Sequence, residues 1–170
     1  MRSRGRGARA ALRSLDFALL RVLRTRGHAP PVERAVIRLA RAGESGLLWH
    51  TLAAAGVVLD GRRRPVYLRA MRVVLITLVV NGAVKRLVRR ARPALEELPA
   101  LTVVSGRSYP SAHSSTSFAG ARVLSGALPP GAMYALAVAM ALTRPYLGVH
   151  YPSDIVAGAV LGDAVAELMP

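Results

Sequence analysis

The sequence predicts an all-α fold: a multi-pass transmembrane helical bundle of about five spanning helices, preceded by a basic amphipathic N-terminal segment. Three observations carry that expectation. Hydrophobic residues make up 52% of the 170 residues, yet the formal net charge is +15. A soluble domain that basic usually binds polyanions and rarely holds so much apolar sequence, whereas a membrane protein with basic flanks has both properties. Apolar runs of helical length are parted by breaks rich in proline, glycine or arginine, and the last run carries Ala157, Gly158, Ala159 and Gly162, small enough for close helix packing. The length suits one domain. No cysteine is present, which excludes disulfides and thiolate metal sites.

The elements follow in order. Residues 1–42 form a basic segment in which Leu15, Leu19, Val22 and Leu23 share one face, as do Val32, Val36, Ile37, Leu39 and Ala40 after Pro30–Pro31. One or two amphipathic helices on the membrane surface fit that pattern, and a solvated basic arm is the alternative. The membrane-embedded domain is expected over 43–170. Its first run, Gly46–Asp60, is interrupted only by His50 and ends at Gly61-Arg-Arg-Arg-Pro65. Val66–Val88 is long and apolar, Arg89–Tyr109 is a polar loop, and Pro110–Leu128 is helical in pattern. After the turn Pro129-Pro-Gly131 come Ala132–Leu142 and the Gly/Ala-rich Pro152–Met169. Several runs are shorter than the roughly 20 residues that cross a bilayer upright, so they fit only a compact bundle.

Three motifs carry chemistry. Lys85 stands seven residues before Arg92, which is followed by Pro93, and Lys85 is the sole lysine among 24 basic residues. If the helix from Val66 continues to Pro93, the ammonium and guanidinium share a face and clamp a phosphate. Arg86, Arg89 and Arg90 are read as snorkelling helix-end residues. The second motif is Tyr109-Pro-Ser-Ala-His113. Pro110 suits the first turn of a helix, and the N–H groups of Ser111, Ala112 and His113 would then bind an anion. The third is Thr143-Arg144-Pro145, then His150 and Asp154, where the carboxylate can orient the imidazole as a nucleophile. Each motif alone has a structural reading as a helix cap or an interface anchor. Together they put basic, acidic and nucleophilic groups at the ends of four helices, all on one membrane face in an up-and-down topology.

Lys85-x6-Arg92-Pro93, Pro110-Ser111-Ala112-His113 and Thr143-Arg144-x5-His150-x3-Asp154 resemble the K-x6-R-P, P-S-G-H and S-R-x5-H-x3-D pattern of the type 2 phosphatidic acid phosphatase superfamily. The resemblance covers about residues 43–168, with Ala112 in place of glycine and Thr143 in place of serine. Neither departure removes a needed group: alanine keeps its backbone donor, and threonine keeps its hydroxyl. The resemblance implies hydrolysis of a lipid-linked phosphate monoester or diphosphate without a metal or other cofactor. His150 would attack phosphorus, Asp154 would orient it, and His113 would protonate the leaving oxygen and later activate water. Lys85, Arg92, Ser111, Ala112 and Arg144 would hold the phosphoryl oxygens. Glu96–Glu97 has no histidine near it in sequence and makes no convincing metal motif. The short length, the Pro-Ser-Ala-His motif and Gly43-Glu44 are similar to actinobacterial phosphatases that act on decaprenylphosphoryl-5-phosphoribose.

The expected partners are a lipid-linked phosphate substrate and a bilayer with anionic lipids, with no nucleic acid. A catalytically silent scaffold binding anionic lipid is the alternative from another class, and a vanadium haloperoxidase-like enzyme is the alternative among enzymes. Eleven arginines lie between residues 2 and 41, against three at Arg62–Arg64 on the opposite side. Positive residues are retained in the cytoplasm, so that count places the site on the cytoplasmic face of the cell membrane.

Overall fold

The computed structural model describes residues 2–94, 100–102 and 106–170, with side chains from residue 11 onward. Among the described residues there is no strand, and seven α-helices follow one another: α1 Arg2–Thr25, α2 Pro30–Ala42, α3 Leu47–Leu59, α4 Arg64–Val88, α5 Ala112–Leu124, α6 Pro130–Tyr146 and α7 Pro152–Leu168. Proline opens α2, α4, α6 and α7, where its missing N–H has no partner to lose and its fixed φ suits the first turn.

The centre of the bundle is α5, which α3, α4, α6 and α7 all touch. Its surface is small and polar. Ser114, Ser115, Thr116, Ser117, Ala119 and Ala121 are all buried, and their hydroxyls are paired. Ser115 Oγ accepts from Asn81 Nδ2 on α4 at 2.9 Å, and Ser117 Oγ accepts from Trp49 Nε1 on α3 at 3.0 Å. On α7, Gly158 and Gly162 lie against the backbone of α5. A Cβ at either position would come within 2.6 Å of Ser111 O or 2.0 Å of Ser115 O, so only glycine allows that approach.

The outside is the reverse of the inside. Val58, Leu59, Leu75, Val79, Leu142, Val156 and Val160 are exposed. Paired polar groups within and aliphatic side chains without suit a helical protein whose solvent is lipid. One helix among those described, Gly61–Val88 with its leading turn, is long and apolar enough to cross a membrane by itself. At 13 residues α3 and α5 are about 20 Å long, and at 17 residues α6 and α7 are about 25 Å, against a hydrocarbon core of about 30 Å.

The N-terminal segment forms two helices that pack on the bundle. Leu20 and Asp16 of α1 and Ala40 of α2 are buried, while Leu12, Leu15, Leu19 and Val22 of α1 face outward. Ala40 joins Leu147 and Val149, with Ile37, Leu101 and Tyr146 around them, in a small apolar cluster separate from the main core.

Three local expectations need correction. The helix from Val66 does not reach Pro93: α4 stops at Val88, and Arg89 takes a left-handed conformation with φ 54°. Lys85 and Arg92 therefore meet by way of a loop and do not share a helix face. Pro110 does not open α5. Ser111 is the N-cap, its Oγ accepting from the Ser114 N–H, because a side-chain oxygen there satisfies a first-turn donor that proline leaves open. Arg90 is no snorkelling end residue, as the site below shows. Glu96–Glu97 lies outside the described residues.

Candidate active site

The site lies where α4 and α6 end and α5 and α7 begin. Lys85 comes from the last turn of α4 and Arg144 from that of α6. His113 stands in the first turn of α5, Asp154 in that of α7, and His150 in the link between α6 and α7. A cavity of about 480 Å³ is lined by Lys85, Arg92, Arg107, Ala112, His113, Arg144 and His150, with Glu44 and Ser45 at one side. The cavity wall thus holds four cationic side chains, two imidazoles and the start of a helix, the donor set an anion needs.

His150 is buried, and its partners assign its tautomer. Nε2 lies 3.0 Å from Arg92 Nη1, and a guanidinium only donates, so Nε2 must accept. The proton then sits on Nδ1, 3.4 Å from Asp154 Oδ2 and 3.3 Å from Ser108 Oγ. Burial pushes the imidazole down to about 4, against the pull of the Asp154 carboxylate. At neutral pH His150 is therefore uncharged, with its Nε2 lone pair directed toward the arginine of the cavity wall. That form is nucleophilic.

Asp154 is fully buried and fully engaged. Oδ2 also accepts from the Tyr151 N–H at 3.0 Å and from the Ser108 hydroxyl, while Oδ1 accepts from Arg90 Nη1 at 2.9 Å. Arg90 reaches further. Its Nη2 donates to Asp16 Oδ2 of α1 at 2.8 Å, its Nη1 to Ser153 Oγ at 2.7 Å, and its guanidinium lies 4.0 Å from the centre of the Tyr151 ring. Asp16 in turn accepts from the Ser153 N–H at 2.9 Å, capping the N-terminus of α7 from outside.

His113 faces the cavity with its tautomer assigned in the same way. Its Nε2 lies 2.8 Å from the Ala40 carbonyl, which can only accept, so Nε2 holds a proton and Nδ1 is the nitrogen left for proton transfer. The turn after α2 comes this close because residue 43 is glycine. A Cβ there would stand 2.9 Å from His113 Cδ2 and 2.3 Å from Met140 Sδ.

The remaining expected residues divide. Lys85 Nζ donates to the Arg107 carbonyl at 2.8 Å, and Arg92 Nη1 also donates to the Val149 carbonyl at 2.9 Å. Arg144 is 5% exposed and its Nε has no hydrogen-bond partner. Ala112 lines the cavity, but Ser111 is fully buried and does not. The Ser111 N–H, expected to be free for an anion, donates to the Asp154 carbonyl at 3.0 Å and ties α5 to α7. Thr143 bonds back to the Met140 carbonyl of its own helix at 2.6 Å.

Sequence reasoning missed Ser108, Arg107, Arg90, Glu44 and Asp16 as members of this site. Asp16 had a visible signal, since it is the only acidic residue in the first 32 and shares a helix face with Leu20. Arg90 had none among its arginine neighbours. Among the described residues, no three His, Cys, Asp or Glu side chains gather closely enough to hold a metal ion.

The family model described as the PAP2 superfamily matches residues 66–170. Decaprenylphosphoryl-5-phosphoribose phosphatase of Mycobacterium tuberculosis is 36% identical over 135 residues, which are 77% of this chain and 75% of that protein. The crystal structure of Aquifex aeolicus LpxE superposes with a TM-score of 0.77 at 25% identity, over 91% of this chain and 94% of the other. The transmembrane PAP2-type phosphatidylglycerolphosphate phosphatase from Bacillus subtilis gives 0.76 at 25% identity, over 94% and 84%.

Proposed function

We infer that this chain, which belongs to the PAP2 superfamily and is a membrane hydrolase of lipid-linked phosphates, works through a phosphohistidine formed on His150 without a metal ion. The observation that carries the mechanism is the His150 imidazole itself. Its Nε2 accepts in a cationic cavity, and its Nδ1–H is backed by a buried, ion-paired Asp154. In the first step the Nε2 lone pair forms a bond to phosphorus and the P–O bond to the lipid-linked alcohol breaks. His113, entering this step as the imidazolium with Nε2–H held by the Ala40 carbonyl, gives the proton on Nδ1 to the departing oxygen. In the second step His113 takes a proton from water, the water oxygen bonds to phosphorus, and the P–N bond breaks to release phosphate. Lys85, Arg92 and Arg144, with the first-turn N–H groups of α5, neutralise the charge on the transferring oxygens, the main demand of phosphoryl transfer. Ser111 acts indirectly in this scheme, by holding the start of α5 against α7.

The substrate is a lipid phosphate whose polar part includes a pentose. That reading is supported by the Mycobacterium tuberculosis relative, named for decaprenylphosphoryl-5-phosphoribose. Purified protein given a panel of lipid phosphates should release phosphate fastest from the pentose-bearing member. Failure to release phosphate from any member would leave the silent scaffold as the better account.

Activity should persist in chelator, because the positive charge at the site comes from side chains. Vanadate should inhibit, since it adopts the five-coordinate geometry of the phosphoryl group in flight. Loss of activity in chelator with rescue by Mg²⁺ or Zn²⁺ would refute the metal-free reading.

We place five spans at α3–α7, with residues 1–42 lying on the membrane surface as a basic amphipathic segment beside the phosphatase domain, 43–170. This arrangement puts the N-terminal arginines on the side of the active site, and the hydrogen bond from His113 to Ala40 agrees with it. By the charge rule that side is cytoplasmic. The protein has no cysteine, so a single cysteine at the exposed Ala94, between α4 and α5, is a unique label. It should resist a membrane-impermeant thiol reagent in intact, wall-stripped cells and react once they are opened. Labelling before opening would reverse the topology.

A further inference from the structure

Beside the catalytic cavity is a second one of about 290 Å³, lined by Ile37, Ala40, Arg41, Glu44, Leu101, Thr102, Arg144 and Leu147. Glu44 and Arg144 line both, so the two are neighbours. Two polar atoms of the residues that line it are buried without a hydrogen-bond partner: Thr102 Oγ1, and Nε of Arg144, whose side chain is almost wholly buried. Unpaired buried polar atoms are costly, and a ligand that pairs them removes the cost. The lining mixes a carboxylate, a hydroxyl and guanidinium donors over an apolar floor of Ile37, Ala40, Leu101 and Leu147. A second phosphate would meet Glu44 as a like charge, and an alkyl tail would leave the polar atoms unpaired. A sugar suits every part: its hydroxyls both donate and accept, and its C–H face rests on apolar side chains. The volume is at the small end for ligand sites and too small for a long chain.

We propose that this second cavity is a head-group subsite that binds a monosaccharide-sized, polyhydroxylated group esterified to the phosphate under attack. The inference rests on the phosphatase reading above and says where the enzyme reads its substrate. The test compares two lipid monophosphates with the same isoprenoid tail, one carrying a pentose at the cleaved phosphate and one lacking any sugar. Wild-type enzyme should favour the pentose substrate. Thr102→Val should lower that preference in kcat/KM by about tenfold, as expected when a buried hydroxyl pair is lost, while Thr102→Ser should retain it. Equal loss on both substrates, an unaltered preference, or wild-type preference for the sugar-free lipid overturns the subsite. Turnover of neither substrate by the wild type overturns the phosphatase reading itself.

A second inference stands on a different observation. Asp16 belongs to a helix outside the matched family region, yet its buried carboxylate holds both Arg90, which donates to Asp154, and the first turn of α7, on which Asp154 stands. We infer that Asp16 is a positioning residue for the His150–Asp154 pair. Asp16→Asn should lower kcat by about tenfold or more with little effect on KM, since it leaves the phosphate-binding groups in place, and Asp16→Glu should recover part of the loss. Phe17→Ala loosens the same helix at its edge contact with Tyr151 (ring centroids 5.3 Å apart) and leaves the charge, so it should cost less. An unchanged kcat in folded Asp16→Asn, or the same loss in Phe17→Ala, overturns the assignment.

Discussion

Replacing His150 by alanine should abolish turnover, by on the order of 10⁶-fold, the scale at which a hydrolase loses its covalent nucleophile. The expectation follows from the bond each ring nitrogen makes. Arg92 can only donate to Nε2, so that nitrogen holds the lone pair, and the buried Asp154 receives the Nδ1 proton. Burial that keeps the imidazole neutral down to about 4 keeps the lone pair available at physiological pH. Arg92 Nη1 points at that lone pair from 3.0 Å, so attack on phosphorus requires the guanidinium to turn to a phosphoryl oxygen instead. Initial rates of phosphate release from purified, folded His150→Ala check this. Rates near wild type would move the nucleophile elsewhere.

The second large effect belongs to His113. Its replacement by alanine should slow turnover by about 10²–10⁴-fold, the usual contribution of general acid–base assistance. The loss should be smaller for a substrate with a good leaving group. An activated aryl phosphate needs no protonation as its P–O bond breaks, so with it His113→Ala should recover much of the first step. The Ala40 carbonyl at 2.8 Å holds the ring so that Nδ1 is the transferring nitrogen, which makes α2 part of the site. Equal losses for activated and alkyl phosphates would contradict the leaving-group role.

Much of the fold could be read from the sequence, for identifiable reasons. Prolines bounded the runs that became α2, α4, α6 and α7, and the small residues of α7 pointed to close packing that Gly158 and Gly162 supply. The pattern suggests a turn at Pro129-Pro-Gly131 before Ala132–Leu142, whereas α6 opens at Pro130, where a missing donor costs nothing, and runs on to Tyr146. The end of α4 was misplaced because Pro93 looked like the stop, and nothing in a run of arginines marks Arg89 as the residue that turns left-handed. In the site, the motif residues were legible through their spacing. Ser108, Arg90 and Asp16 were not, because they act through tertiary contacts that link residues far apart in the chain: Arg90 meets Asp154 across 64 positions and Asp16 across 74. Ser111 was legible as a site residue through its motif, but the bond its N–H makes was not. Its N–H serves the α5–α7 junction, a partner that sequence spacing does not reveal.

Trapping the covalent phosphohistidine on His150 tests this mechanism most directly. Protein mixed with a lipid phosphate labelled in its terminal phosphate, quenched within milliseconds into alkali and digested, should yield a peptide phosphorylated on His150. The P–N bond survives base and is lost in acid. The label should appear at a rate at least equal to kcat, accumulate in His113→Ala if the second step slows more than the first, and be absent from His150→Ala. Label on another residue, or full turnover with no phosphopeptide at any quench time and direct incorporation of solvent oxygen in a single in-line displacement, would contradict the account.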